Sequence, residues 1–267
     1  MSSGRIGDKN RMIVPIRQKV KQGQVVSGTF LNLGSPLTAE IAGKAGFDWV
    51  IIDCEHGAGD HSELLHQLQA LGGTPAAPLV RIAWNETPRF KRVLDLGASG
   101  VMVPYVNDAQ QAAAAVAAMR YPPQGIRGVA VMNRGAEFGK TFDEYFATAN
   151  QNLLTIVQIE TPQAVEQAKA IAAVDGVDVL FIGPADLSAS LGCLRNAEHP
   201  DFRKAMAQVV AACKSQGKAA GILLSKPEQI ASYVDMGFTF IGIGSDGSMV
   251  QEGLTRLATA FGAYRGK

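Results

Sequence analysis

The sequence has little that would tie it to a membrane, a secretory route or a polyanion. No apolar run approaches the roughly 20 residues that a membrane-spanning helix needs. Met1 to Asn10 is polar and Gly-containing rather than a signal sequence. The three cysteines, Cys54, Cys193 and Cys213, are an odd number without metal-type spacing, which argues against a disulfide framework and for a reducing, cytoplasmic setting. An excess of one charge is missing too. At +1, with pI near 7.7, the chain lacks the electrostatic footprint of a nucleic-acid or anionic-membrane binder. No Ser/Gly-rich or charged linker divides the 267 residues, so the expectation is one large domain over residues 11–267, a short flexible tail over residues 1–10, and a small-molecule ligand.

What is present is a recurrent alternation. After an amphipathic start from Arg11 to Gln22, eight short apolar, β-rich runs follow: Val25 to Leu31, Trp49 to Asp53, Pro78 to Ile82, Val101 to Pro104, Leu154 to Glu160, Val179 to Gly183, Ala219 to Leu224 and Phe238 to Ile243. Segments rich in Ala, Leu, Gln and Glu separate them, as in a parallel sheet covered on its outside. Ser35-Pro36, Thr87-Pro88 and Thr161-Pro162 read as N-caps followed by a proline at the first helical position, and Ser225 to Glu228 as a capping box. Gly46, Gly97 and Gly237 fall where helices should end. Eight such units favour an α/β fold of the (β/α)8 TIM-barrel type over an open doubly wound sheet, with the first helix plugging the barrel floor. The intervals Tyr105 to Leu153 and Ala185 to Lys218 are too long for a plain unit. Both are expected on the C-terminal rim, with substrate or subunit contacts in the first and a lid or exposed loop at Gly192 to Pro200 in the second.

Two of the apolar runs lead into acids, Glu160 and Asp186, one strand-helix unit apart. Adjacent parallel strands lie roughly 4.8 Å apart, so their ends can aim two carboxylates at one point. Two hard oxygen donors with few His or Cys neighbours suit Mg²⁺, Mn²⁺ or a similar divalent ion; the plainer reading makes each acid a helix N-cap. Gln158 shares the strand face of Glu160. Gly183-Pro184-Ala185 forms a rigid turn whose amides can approach a ligand.

Other residues carry possible chemistry. Asp53, Glu55 and His56 crowd the end of the second run, where His56 can shuttle protons with an acid fixing its tautomer, or serve as a structural turn histidine. A thiol role for Cys54 needs the strand to persist past Asp53. Arg81, charged within Leu79-Val80-Arg81-Ile82, implies either an anionic ligand or a buried pair with Asp53 or Glu160. Asp95 precedes the fourth run, toward the opposite rim, and reads as a helix-terminal acid; if it serves a site, a neighbouring subunit is the favoured recipient over its own. His61, His66 and His199 read as surface residues. Gly242 to Ser245 suggests a tight turn or, in a phosphate-binding barrel isomerase, a phosphate cradle. Lys226 is the lysine a Schiff-base aldolase would need. A non-catalytic binding protein is a further alternative, disfavoured by the density of charge at the rim.

DCEHG at Asp53, VRIAWNE at Val80, RYPPQGIRG at Arg120, VQIET at Val157 and FIGPADLS at Phe181 together resemble the metal-dependent HpcH/HpaI class II pyruvate aldolases, in order and from about Gly28 to the last helix. The resemblance implies a divalent metal (Mg²⁺, Mn²⁺ or Co²⁺) on Glu160 and Asp186, and Arg81 on the keto oxygen of pyruvate. It also implies Gln158 in the metal's outer shell, substrate contacts at Gly183, Ala185 and Asp186, and His56 with Asp95 assisting a metal-bound water in proton transfer. Hexamers are common in this family. IRGVAVMNRGAEFG and the following DEYF resemble its 2-dehydro-3-deoxyglucarate aldolase branch. The activity so implied is reversible cleavage of a 4-hydroxy-2-oxo acid to pyruvate and an aldehyde such as tartronate semialdehyde, with a 4-hydroxy-2-oxoheptanedioate aldolase giving succinate semialdehyde as the alternative.

Overall fold

A computed structural model describes residues 15–265; the expected tail, residues 1–10, and residues 11–14 of the amphipathic start lie outside them. Eight strands form a closed parallel barrel in chain order. They are β1 (Val26–Leu31), β2 (Trp49–Asp53), β3 (Ala77–Arg81), β4 (Gly100–Val103), β5 (Leu154–Ile159), β6 (Val179–Ile182), β7 (Ala219–Leu224) and β8 (Phe238–Ser245). Pairing of β1 with β8 closes the ring. No described helix is long and apolar enough to cross a membrane.

The period-two alternation of the strands sorts the core into two bodies. Val50 and Ile52, Val80, Val101 and Val103, Val157 and Ile159, and Leu180 and Ile182 point outward under the helices. Trp49 and Ile51, Leu79, Met102, Leu154 and Ile156, and Val179 and Phe181 fill the barrel. Trp49 stacks on Phe240 at 4.4 Å, and Phe30 lies 6.1 Å from Phe181. This aromatic filling depends on Gly28, where a Cβ would sit 2.0 Å from the indole.

Ile16 and Val20 of the helix Ile16–Lys21 join this interior cluster, so the helix plugs the floor as expected. Arg17 locks it there: its Nε donates to Asp178 at 2.9 Å, and its Nη1 to the Asn150 and Gln151 carbonyls. Asp178 also accepts from the Thr155 amide. Burial raises the Asp178 carboxyl above its ordinary range despite Arg17, so removing the guanidinium strands a charge in a dry place. Arg17→Ala is therefore expected to cost about 3–5 kcal/mol of folding free energy, read as a lowered denaturation midpoint; a loss under 1 kcal/mol would mean that the plug is not anchored there.

Ser35 and Thr161 cap their helices as expected, each accepting from an amide three residues on. Thr87 does not: the preceding Glu86 takes the cap position without a side-chain bond, and Thr87 is already helical. The box at Ser225 is displaced by one residue, because Gln229 rather than Glu228 accepts the Lys226 amide. The larger correction concerns the interval Tyr105 to Leu153. The helix Ala109–Met119 follows β4 closely, and the added chain comes after it, on the N-terminal rim. There Arg134 donates to the Leu68 and Leu96 carbonyls and Arg127 to Asp95. The Gly192 to Pro200 loop does stay on the C-terminal side, bordering a cavity of about 430 Å³ with Pro184, Ala185 and Ser225.

Candidate functional site

The inward rows of the barrel change character at their C-terminal ends. Trp49 and Ile51 give way to Asp53, Leu79 to Arg81, and Leu154 and Ile156 to Gln158 and then Glu160. Register pairs Asp53 with Arg81, which puts their side chains together on the interior face. Arg81 Nε and Nη2 grip the two Asp53 oxygens at 2.9 and 2.6 Å. Its Nη1 lies 3.0 Å from Glu55 Oε2 in ion-pair contact, but without hydrogen-bond alignment, so that buried oxygen keeps no hydrogen-bond partner. The guanidinium rests 5.3 Å above the Phe30 ring. Of the two readings of Arg81, the buried pair with Asp53 is present, with Glu55 in addition. Burial opposes the Asp53 charge, yet the hydrogen bonds and charge of Arg81, with the amides of Glu55 and His56, hold its carboxyl below the ordinary value.

Glu160 is 1% exposed. Its Oε2 accepts from the Tyr105 amide at 2.9 Å and its Oε1 from Gln158 Nε2 at 3.0 Å. Asp186, half-buried in the first turn of the helix Pro184–Ser190, accepts from the Tyr105 hydroxyl at 3.1 Å. Neither acid is a helix cap, since Thr161 and Gly183 hold those positions. Burial pushes the Glu160 carboxyl up to about 7, opposed by the Tyr105 amide and Arg81 and reinforced by the charges of Glu55 and Asp186. Gly183 is required by the close fit: a Cβ there would come within 2.4 Å of Glu160 Oε1.

Asp53, Glu55 and Glu160 thus surround the Arg81 guanidinium, and Asp186 adds its charge beside Glu55 and Glu160, leaving negative charge in excess inside a low-dielectric rim. The free donors are hard oxygens, and Gln158 Oε1 is buried without a partner. Among the described residues no cluster of three His, Cys, Asp or Glu side chains is suited to a metal. A cation here would take two protein carboxylates and complete its shell with water or substrate oxygens, which fits Mg²⁺-like ions rather than a closed zinc site.

The remaining expectations divide. His56 stands on the same rim but is largely exposed, its Nε2 3.9 Å from Glu55 Oε2; Asp53 is committed to Arg81 and does not orient it. Asp95 closes the helix Thr87–Asp95 and pairs with Arg127 at 2.7 Å, so one chain does not bring it to His56. The Gly183 amide is spent on the Ile159 carbonyl, leaving Ala185 and Asp186 as the amides of that turn at an unpaired helix start. Burial pushes the Cys54 thiol up to about 11, against a nucleophilic role. Lys226 is exposed, and Ser245 caps the last helix by accepting from the Ser248 amide. Tyr105, which touches both acids, belongs to none of the motifs above; its place just beyond β4 is the signal in the sequence that points to it.

The sequence pattern of the HpcH/HpaI aldolase/citrate lyase family matches residues 26–252. A 5-keto-4-deoxy-D-glucarate aldolase of Klebsiella pneumoniae subsp. pneumoniae is 44% identical over 238 residues, 89% of this chain and 93% of that protein. One from Salmonella arizonae is 43% identical over 254 residues, covering 94% and 99%. The crystal structure of an HpcH/HpaI aldolase/citrate lyase family protein from Burkholderia cenocepacia superposes with a TM-score of 0.88 at 38% identity, covering 92% of this chain and 98% of that one.

Proposed function

The chain belongs to the HpcH/HpaI aldolase/citrate lyase family, and on that premise we propose that it cleaves a 4-hydroxy-2-oxo sugar acid of the 5-keto-4-deoxy-D-glucarate type, reversibly, to pyruvate and tartronate semialdehyde. The observation that carries this reading is the pair Glu160 and Asp186, free of capping duty and joined by Tyr105 at the barrel mouth. A divalent cation held there (Mg²⁺, Mn²⁺ or Co²⁺) supplies Lewis-acid polarisation of the 2-oxo acid. Gln158 steadies Glu160, and the turn Gly183 to Asp186 borders the keto acid. Arg81, fixed by Asp53, offers N–H groups to the oxygen that becomes the enolate. His56, at the open rim, takes the 4-hydroxyl proton on its imidazole in the cleavage direction.

Asp95 lies toward the opposite rim from His56, paired with Arg127, so its part in that proton transfer is assigned to a neighbouring subunit of a homo-oligomer, with a hexamer as the working assembly. Exposed Leu254, Leu257 and Phe261 along the last helix are in keeping with subunit contacts. The three free thiols accord with a cytoplasmic protein.

The pH dependence follows from Glu160. Its folded value of about 7 lies above the ordinary 4.5. In metal-free protein its neutral form therefore favours folding below about 4.5, and this contribution is lost as pH rises through about 7. Cation binding runs the other way, since the carboxylate must be bare. Calorimetric titration with Mn²⁺ is expected to release about one proton per ion at about pH 6 and little at about pH 8. Equal release at both would remove Glu160 from the binding event. Retro-aldol assays on a panel of 4-hydroxy-2-oxo acids, with and without chelator, test the whole reading; preference for 4-hydroxy-2-oxoheptanedioate, or turnover indifferent to chelator, would overturn it.

A further inference from the structure

Tyr105 has two unusual properties. It is a non-glycine residue in the left-handed region, with φ of 51°, a conformation that costs on the order of 1–3 kcal/mol and persists only where the surroundings impose it. It also reaches both acids by different parts of itself: its amide donates to Glu160 Oε2 at 2.9 Å and its hydroxyl to Asp186 Oδ1 at 3.1 Å. The two facts are connected, because an extended backbone at this point would not turn the amide and the ring toward the same spot.

The neighbours hold this turn in place. Asn107 Nδ2 donates to the Tyr105 carbonyl, and the Val106 amide to the Gln158 carbonyl. Asn107 Oδ1 in turn accepts from Thr161, the cap residue directly after Glu160. On the outer side the ring lies 5.9 Å from that of the half-exposed Trp84. Directly after the strained residue the chain is thus tied to the end of β5, and before it β4 is paired to β5 up to Val103 and Val157.

From this geometry we infer that Tyr105 is a positioning residue that fixes the span between Glu160 and Asp186, and so sets the affinity and size selectivity of the site for a divalent cation. The inference rests on the reading of those acids as cation ligands. Two like charges held close repel one another, and Asp186 on its short helix would otherwise be free to swing outward. Bracing both on one rigid residue favours a small ion with strict geometry, such as Mg²⁺ or Mn²⁺, over Ca²⁺ with its longer and looser shell.

Tyr105→Phe keeps the backbone, the ring and its contact with Trp84 and deletes only the hydroxyl. Binding of Mn²⁺, Mg²⁺ and Ca²⁺ is measured by calorimetry without substrate, beside the wild-type protein and Glu160→Gln. The expected result is a loss of about tenfold or more in Mn²⁺ and Mg²⁺ affinity, within the 10–100-fold range of outer-shell partners. The loss for Ca²⁺ is expected to be smaller, so that selectivity narrows, while the melting temperature of the metal-free protein is unchanged. Wild-type affinities and an unchanged Mg²⁺/Ca²⁺ ratio in Tyr105→Phe, with binding abolished in Glu160→Gln, would overturn the role of Tyr105 and leave the cation site standing. Undiminished binding in Glu160→Gln would instead overturn the reading of the site.

Discussion

Substituting Glu160 with glutamine is expected to lower kcat/KM at least about 10³-fold, beyond the 10–100-fold typical of an outer-shell partner, without weakening the fold. The two effects separate because of where the carboxylate sits. It is buried, its carboxyl is pushed up to about 7 mainly by that burial, and in the absence of a cation its charge opposes folding at neutral pH. A neutral amide removes that opposition. Local hydrogen bonding can also be kept: the Tyr105 amide still finds an oxygen, and Gln158, whose Oε1 is now buried without a partner, can reverse its amide to accept from the new NH₂. A melting temperature at or above the wild-type value, with activity lost and not restored at high Mn²⁺, is the expected pair of results. Activity within tenfold of wild type would remove Glu160 from the chemistry.

The same residue shows what sequence alone could convey. Apolar runs interrupted by capped helices determine the barrel, because period-two alternation and helix caps are local properties; hence the eight strands, the floor plug and the inward placement of Glu160 were legible. Three things were not. The order of helix and added chain after β4 moved Arg120 to Asn152 to the far rim, and interval length carries no information on that order. The choice between an anionic ligand and an ion pair for Arg81 depended on the register that sets it beside Asp53, which no single strand encodes. Tyr105 depended on a left-handed backbone held through Val106 and Asn107 by Gln158 and Thr161 of the next strand end, which the local sequence does not specify. Thr87, by contrast, was a misjudged local signal: a threonine before proline reads as a cap, but Glu86 already has the extended backbone the cap position requires.

Replacing Arg81 by lysine is expected to reduce kcat/KM about 10²–10³-fold, the scale seen when one preorganised donor to a developing oxyanion is removed. The substitution retains the charge, so the acids Asp53 and Glu55 stay paired and the fold avoids the larger penalty of a stranded buried carboxylate. What is lost is the planar fork. An ammonium cannot span both Asp53 oxygens while presenting fixed donors on another edge, and it also forgoes the guanidinium's seat over Phe30. Asp53→Asn makes the complementary change, keeping the guanidinium but loosening its anchor, and is expected to cost less than Arg81→Lys. Exchange of the pyruvate methyl protons with deuterated solvent isolates enolisation from the handling of the aldehyde. It should slow in step with kcat in Arg81→Lys and by a smaller factor in Asp53→Asn. Unchanged exchange in Arg81→Lys alongside depressed turnover would transfer Arg81 from the enolate to the other half of the substrate, and the reverse order of the two variants would mean that the pair acts through Asp53 instead.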